Sequence, residues 1–97
     1  KRLKGSVTVD KGCADALLKK GSSLLPVGIT AVSGEFHEGE TISILFNDEE
    51  IARGMVNFSS ADLDQIKGCN SHEITSILKI DSAHTEVIHR DNLVILR

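Results

Sequence analysis

Ninety-seven residues, 40% hydrophobic and 26% charged, allow one globular core; they exclude a second domain and a disordered chain. Eleven basic against fourteen acidic side chains give a net charge of −3, which is not the signature of an obvious nucleic-acid binder. No apolar run approaches the roughly 18–20 residues that span a bilayer, and the start Lys1-Arg2-Leu3-Lys4 lacks the apolar stretch of a signal peptide.

The one methionine is Met55, and none stands at position 1. This predicts a piece of a longer polypeptide, with 1–4 as the end of a linker and 5–97 as the folded domain. The charges are unevenly spread. Residues 1–20 hold six basic and two acidic side chains, 21–34 none, 35–64 Arg53 against eight carboxylates, and 65–97 four of each. One end of the domain is therefore expected to be positive and another strongly negative. Cys13 and Cys69 form no C-x-x-C pair, and reduced, buried thiols in a cytoplasmic protein are expected.

In chain order, Ser6-Val7-Thr8-Val9 alternates as a strand does. Asp10 can cap a helix over 13–20, with Ala14, Leu17 and Leu18 on one face, Lys19 and Lys20 at its negative end and Gly21 as its terminator. Pro26 suggests a strand start or an edge, and the irregular Ile29, Val32, Phe36 spacing a bulge. His37-Glu38-Gly39-Glu40 reads as a turn. Ile42, Ile44 and Phe46 mark a strand that turns at Asn47-Asp48-Glu49 into a second strand over 51–58, with Gly54 inside it. Ser59-Ser60-Ala61-Asp62 opens a short helix facing Leu63 and Ile66 inward. Asn70-Ser71-His72-Glu73 opens another, with Ile74, Ile77 and Leu78 inward. A polar loop over 81–85 precedes strands at 86–89 and 93–96, joined at Arg90-Asp91-Asn92. The predicted core is Val7, Val9, Leu17, Ile42, Ile44, Phe46, Val56, Leu63, Ile74, Ile77, Val94 and Leu96. Gly28 or Gly54 is expected to have a positive φ or a close backbone neighbour. The predicted fold is mixed, mainly β with three short helices, curled into a partly closed barrel that hides sheet edges.

No set of residues assembles an active site. His89-Arg90-Asp91 invites comparison with a protein-kinase catalytic loop, but Asn92 follows Asp91 directly and the Gly-rich and D-F-G segments are missing, so a tight turn is the reading. Cys69-x-x-His72 has ligand-like spacing, yet only the scattered Cys13, His37, His84 and His89 could complete a zinc site. Ser22-Ser23 has no neighbouring base and reads as loop. Glu49-Glu50 reads as an exposed turn. RNA binding has cations in Lys1, Arg2, Lys4, Lys11, Lys19 and Lys20, but Phe36, Phe46 and Phe58 all fall in apolar patterns and leave no aromatic platform.

Leu24-Leu25-Pro26-Val27-Gly28-Ile29, Gly34-Glu35-Phe36-His37-Glu38-Gly39-Glu40, Ile51-Ala52-Arg53-Gly54 and Ser59-Ser60 resemble the PUA domain, a compact pseudobarrel found mainly in RNA-modifying enzymes. With Asn57-Phe58, Gly68-x-x-Ser71-x-Glu73-Ile74 and Val87-Ile88-His89-Arg90-Asp91-Asn92-Leu93-Val94, the chain is most similar to the C-terminal PUA domain of the bacterial glutamate 5-kinase family. That resemblance implies an accessory, regulatory module of an ATP-dependent phosphotransferase that acts on the glutamate side-chain carboxylate. This would be the first step of proline biosynthesis, subject to feedback inhibition by proline. It implies ATP and Mg²⁺ as cofactors of the parent but none in this chain. It also implies an N-terminal amino-acid-kinase domain as same-chain partner, a homo-oligomeric parent, no membrane and a cytoplasmic location. The alternatives are a weakly RNA-binding module and a dimerisation or packing domain. In PUA domains that bind RNA the contact face is the first helix, the next loop and the strand after it. Here that maps onto Lys19, Lys20, Ser22, Ser23, Leu25, Pro26 and Gly28.

Overall fold

Strand β1 (Ser6–Val9) turns at Asp10 into helix α1 (Lys11–Lys20), and the cap is the expected one: the Asp10 carboxylate accepts from the Cys13 N–H, and Gly21 closes the helix with φ 62°. In this computed structural model residues 3–80 and 85–96 are described. Four more strands follow, β2 (Ile29–Ser33), β3 (Thr41–Phe46), β4 (Glu49–Met55) and β5 (Leu93–Ile95), together with helices α2 (Ser60–Ile66) and α3 (Ser71–Leu78). They form one mixed sheet in the order β2-β1-β3-β4-β5, with β1 parallel to β3 and every other pair antiparallel. The predicted fold class, mainly β with three short helices, is the one observed.

Pro26 starts no strand. It occupies the first turn of a short 3₁₀ segment, Pro26–Gly28, where its missing N–H costs nothing, and β2 begins at Ile29. The expected bulge falls where Thr8 and Val9 of β1 face Ala31 and Ile29 of β2. The β3–β4 hairpin closes on Asn47 and Asp48, both left-handed (φ 53° and 65°), the backbone that suits the twist of paired strands. Both later helices start on the caps read from sequence. Ser59 accepts from the Asp62 N–H, and Asn70 and Glu73 exchange a reciprocal capping box.

The inward faces of the strands (Val7, Val9, Ile42, Ile44, Ala52) meet Leu17 of α1, Leu63 and Ile66 of α2, Ile74 of α3 and the bridged segments around Leu24 and Ile88 in one buried cluster. Four predicted core residues lie elsewhere. Phe46 is the last residue of β3, where the strand runs into the hairpin turn, and it packs only partly buried at the margin. Phe36 and Phe58 are the buried rings instead. Ile77 is exposed because α3 turns only one row of its short face inward, with Ile74 buried and Leu78 partly so. Val94, at 61% exposed, and Leu96 lie on or beside edge strand β5, which has β4 on one side only.

The strand predicted over 86–89 does not form. That segment makes a single antiparallel bridge, Leu24 to Ile88. The loop read over 81–85 lies, apart from Thr85, outside the described residues, as do His84, Lys1 and Arg2. Both marked glycines sit in close contact with ordinary backbone angles. A side chain at Gly28 would come within 2.5 Å of Cys13 Cβ, and one at Gly54 within 2.7 Å of the Asn92 carbonyl and of an Ile88 methyl.

Candidate functional site

The Leu24–Ile88 bridge joins the segment after α1 to the C-terminal part of the chain. The α1 terminus ends at Gly21, and the next N–H, from Ser22, donates to the Ala16 carbonyl at 3.3 Å. The chain then runs antiparallel to the C-terminal segment. Leu24 N–H donates to Ile88 O at 2.9 Å, and Val87 N–H donates to Leu24 O at 2.8 Å. Beside the bridge, the Arg90 N–H donates to Ser23 Oγ at 2.9 Å across 67 positions of sequence. These bonds hold open a shallow cleft of about 350 Å³ lined by Ser22, Ser23, Leu25, Glu86, His89 and Arg90.

Of the seven residues assigned from the resemblance, Ser22, Ser23 and Leu25 line this cleft. Lys19 and Lys20 stand exposed at the preceding helix end. Pro26 and Gly28 are buried and present no surface; Pro26 O accepts from Gly68 N–H, and Gly28 O accepts from Asp10 N–H. Glu86, His89 and Arg90 were not assigned to the site. No spacing rule could place them there, because only a long-range bridge brings them to Ser22 and Ser23.

The cleft is mixed in charge. His89 Nδ1 accepts the Asp91 N–H at 3.1 Å, which leaves the Nε2 edge toward Glu86 Oε1 at 4.0 Å. Ser23 Oγ accepts from the Arg90 N–H and His89 Nδ1 from the Asp91 N–H, and among the described residues no hydrogen bond joins Ser23 to His89 as a nucleophile–base pair would require. The 90–92 turn is a 3₁₀ turn, as the Asp91-Asn92 reading expects. On α1, Asp15 lies 3.1 Å from Lys11 Nζ and 3.8 Å from Lys19 Nζ. The hydrogen bond from Lys11, aided by the charges of Lys11 and Lys19, holds the Asp15 carboxyl below its usual range. Lys19 is thus partly neutralised on its own helix.

Glu50 departs from its reading as an exposed turn residue. Its carboxylate accepts from Arg53 Nε at 2.7 Å, from Arg53 Nη2 at 3.2 Å and from Ser43 Oγ at 2.6 Å, which lowers its pKa and raises that of Arg53. Cys13 and Cys69 are free, half-buried thiols. Burial, with help from Asp10, pushes the Cys13 thiol up to about 11. Among the described residues no three His, Cys, Asp or Glu side chains gather as a metal would require, and Cys69 and His72 gain no third ligand there. No helix among them is long and apolar enough to cross a membrane.

Comparison with known proteins sets this geometry in a family. The chain is 54% identical to the glutamate 5-kinase of Dictyoglomus thermophilum over 93 residues, which is 95% of this chain and 25% of that protein. It is 50% identical to the glutamate 5-kinase of Desulfotalea psychrophila over 94 residues, 96% of this chain and 25% of that protein. The matched part is the C-terminal region of these kinases, so the chain spans about a quarter of the length of the curated relatives it matches. Among solved structures it superposes on a PUA domain from Aeropyrum pernix K1, crystallised with tartrate, with a TM-score of 0.68 and 28% identity over 90% of this chain and 41% of that one. It shares the fold of a chain in the archaeal box H/ACA sRNP Nop10–Cbf5 complex, with a TM-score of 0.61 and 14% identity over 100% of this chain and 24% of that one. The profile of the PUA domain matches residues 5–78, more than half of the sequence. The chain belongs to the PUA domain family.

Proposed function

We propose that this chain is the accessory, regulatory module of a glutamate 5-kinase. The observation that carries the reading is identity above 50% across nearly the whole chain to the C-terminal quarter of such enzymes. In this reading the parent transfers the γ-phosphoryl group of ATP to the glutamate side-chain carboxylate in the first step of proline biosynthesis, in the cytoplasm. An upstream amino-acid-kinase domain, residues 1–4 being the end of the linker from it, holds ATP and Mg²⁺. The described residues here offer neither a metal cluster nor a Gly-rich phosphate loop for them. The test is phosphoryl transfer by the full-length polypeptide. Glutamate- and Mg²⁺-dependent ATP turnover by the full chain, and none by residues 5–97 alone, is expected; a full-length protein that leaves glutamate unmodified would overturn the reading.

A second reading, weak RNA binding, draws on the Ser22–Leu25 cleft beside Lys19, Lys20 and Arg90, and on the fold shared with a ribonucleoprotein component. The acidic Glu86 in the cleft, the Asp15–Lys19 contact and the burial of Phe36 and Phe58 argue for low affinity without base preference. Titration with single-stranded RNA at rising salt tests it. Affinity is expected to fall with a log–log slope near −0.7 per phosphate neutralised. Tight binding that survives high salt would promote RNA to the main function.

A further inference from the structure

The outward face of β3, β4 and β5 is unlike the rest of the sheet surface. Arg53 sits at its centre, held by Glu50, whose carboxylate also accepts from Ser43 Oγ, and it lines both of two clefts. On one side lie Met55, 42% exposed, and Val94, 61% exposed, with Leu96 beside them. On the other side the cleft is walled by Leu45 and by the N-terminal residues Leu3 and Lys4. The N-terminal segment is held there: Gly5 O accepts the Ser43 N–H at 3.1 Å, and Lys4 Nζ lies 3.9 Å from Glu40 Oε2. The inward side of the same strands is fully used, with Ile42, Ile44, Ala52 and Gly54 buried.

We infer that this face, centred on Arg53 with Met55 and Val94 on its rim, is the surface on which the upstream part of the full-length polypeptide docks. The inference rests on the proposed-function reading for the existence of that upstream part. Three observations select the occupant. The chain reaches the domain along this face, so whatever precedes Leu3 is tethered within a few residues of it and meets it at a high effective concentration. The relatives that match here carry about three quarters of their length outside the matched C-terminal region. The face also pairs exposed apolar side chains with a rigid, satisfied charged group, the mixed character of contacts between domains of one chain. The Ser22–Leu25 cleft, which lies elsewhere on the chain, stays open for a second partner.

Met55 supplies the readout, because it is the only methionine in the chain and lies on the face. The 97-residue chain and the full-length polypeptide are treated with dilute peroxide, and sulfoxide at Met55 is followed by peptide mass spectrometry. Met55 oxidation is expected to be about tenfold slower, or more, in the full-length protein. Val94→Asp should restore fast oxidation there while leaving both the rate and the melting curve of the 97-residue chain unchanged. Equal Met55 rates in the two proteins, or protection that Val94→Asp leaves intact, overturn the inference. Protection of the 97-residue chain that grows with its own concentration also overturns it, and assigns the face to a second copy. Protected Met55 in a full-length protein without glutamate kinase activity would uphold the docking surface and remove the functional reading instead.

Discussion

Gly54→Ala and Gly12→Ala are the same chemical change with opposite expected signs. At Gly54, one residue before the end of β4, the backbone angles are ordinary, so alanine is conformationally acceptable. By restricting the unfolded chain it would add about 0.4–1 kcal/mol of stability. The added methyl, however, meets the Asn92 carbonyl and an Ile88 methyl, both at 2.7 Å. One of these is main chain in the turn that leads into β5, so relief requires moving β5 away from β4 or displacing the Leu24–Ile88 bridge. Overpacking of this kind costs about 1–3 kcal/mol, which exceeds the entropic gain. At Gly12, in the first turn of α1, the nearest atom to an added methyl is Asp10 Oδ1 at 3.6 Å, an ordinary contact. There the gain stands almost alone, at about 0.5 kcal/mol. Thermal melts of the two variants read both signs. For a domain this small each kcal/mol moves Tm by about 4–8 °C, so Gly54→Ala should melt several degrees lower and Gly12→Ala a few degrees higher than the parent. A Gly54→Ala variant as stable as the parent would refute the close approach of β5 and the 88–92 segment to β4.

Phe36→Ala should cost about 3–5 kcal/mol, and Phe46→Ala clearly less, because the first ring is buried and the second sits at the core margin; equal losses in urea melts would place Phe46 in the core after all. Glu50 is held below its ordinary value of 4.5 chiefly by the Arg53 hydrogen bond, so its contribution is present above that pH and is lost as the pH falls through the lower folded-state value. Glu50→Gln should therefore flatten the acid limb of a plot of stability against pH, and an unchanged limb would show that the Ser43–Glu50–Arg53 set contributes nothing. Raised from 9.0 to about 11, the Cys13 thiol should react with iodoacetamide at pH 8 about tenfold more slowly than a free cysteine thiol, its scarcer thiolate being partly offset by that thiolate's greater nucleophilicity; alkylation at the free-thiol rate would contradict its burial.

What the sequence carries plainly is local. Asp10, Ser59 and Asn70 cap the helices they precede, and Asn47-Asp48 closes its hairpin, because each signal and its effect lie within four residues. Alternation also placed Val7, Val9, Ile42 and Ile44 correctly. It failed at Phe46, where β3 ends at the hairpin turn on the margin of the core, and at Val94, where an apolar residue lies on an exposed edge strand and pattern alone cannot tell edge from centre. The cleft was half legible. Ser22, Ser23 and Leu25 came from the family resemblance, whereas Glu86, His89 and Arg90 join them through a bridge between segments more than sixty positions apart. The Ser43–Glu50–Arg53 set was hidden for a related reason, since cross-strand neighbours depend on the bulge that sets the β3–β4 register.

The proposed regulatory role is tested most directly by proline inhibition curves for the full-length polypeptide and for a truncate lacking residues 5–97, each recorded at low and high Mg²⁺. A separate domain changes such curves only through contacts that differ between the active and the inhibited states. The expected result is a truncate that still phosphorylates glutamate, with its proline midpoint or its Mg²⁺ requirement displaced from that of the full chain. Superimposable curves at both Mg²⁺ concentrations would contradict the account and leave the domain a packing role.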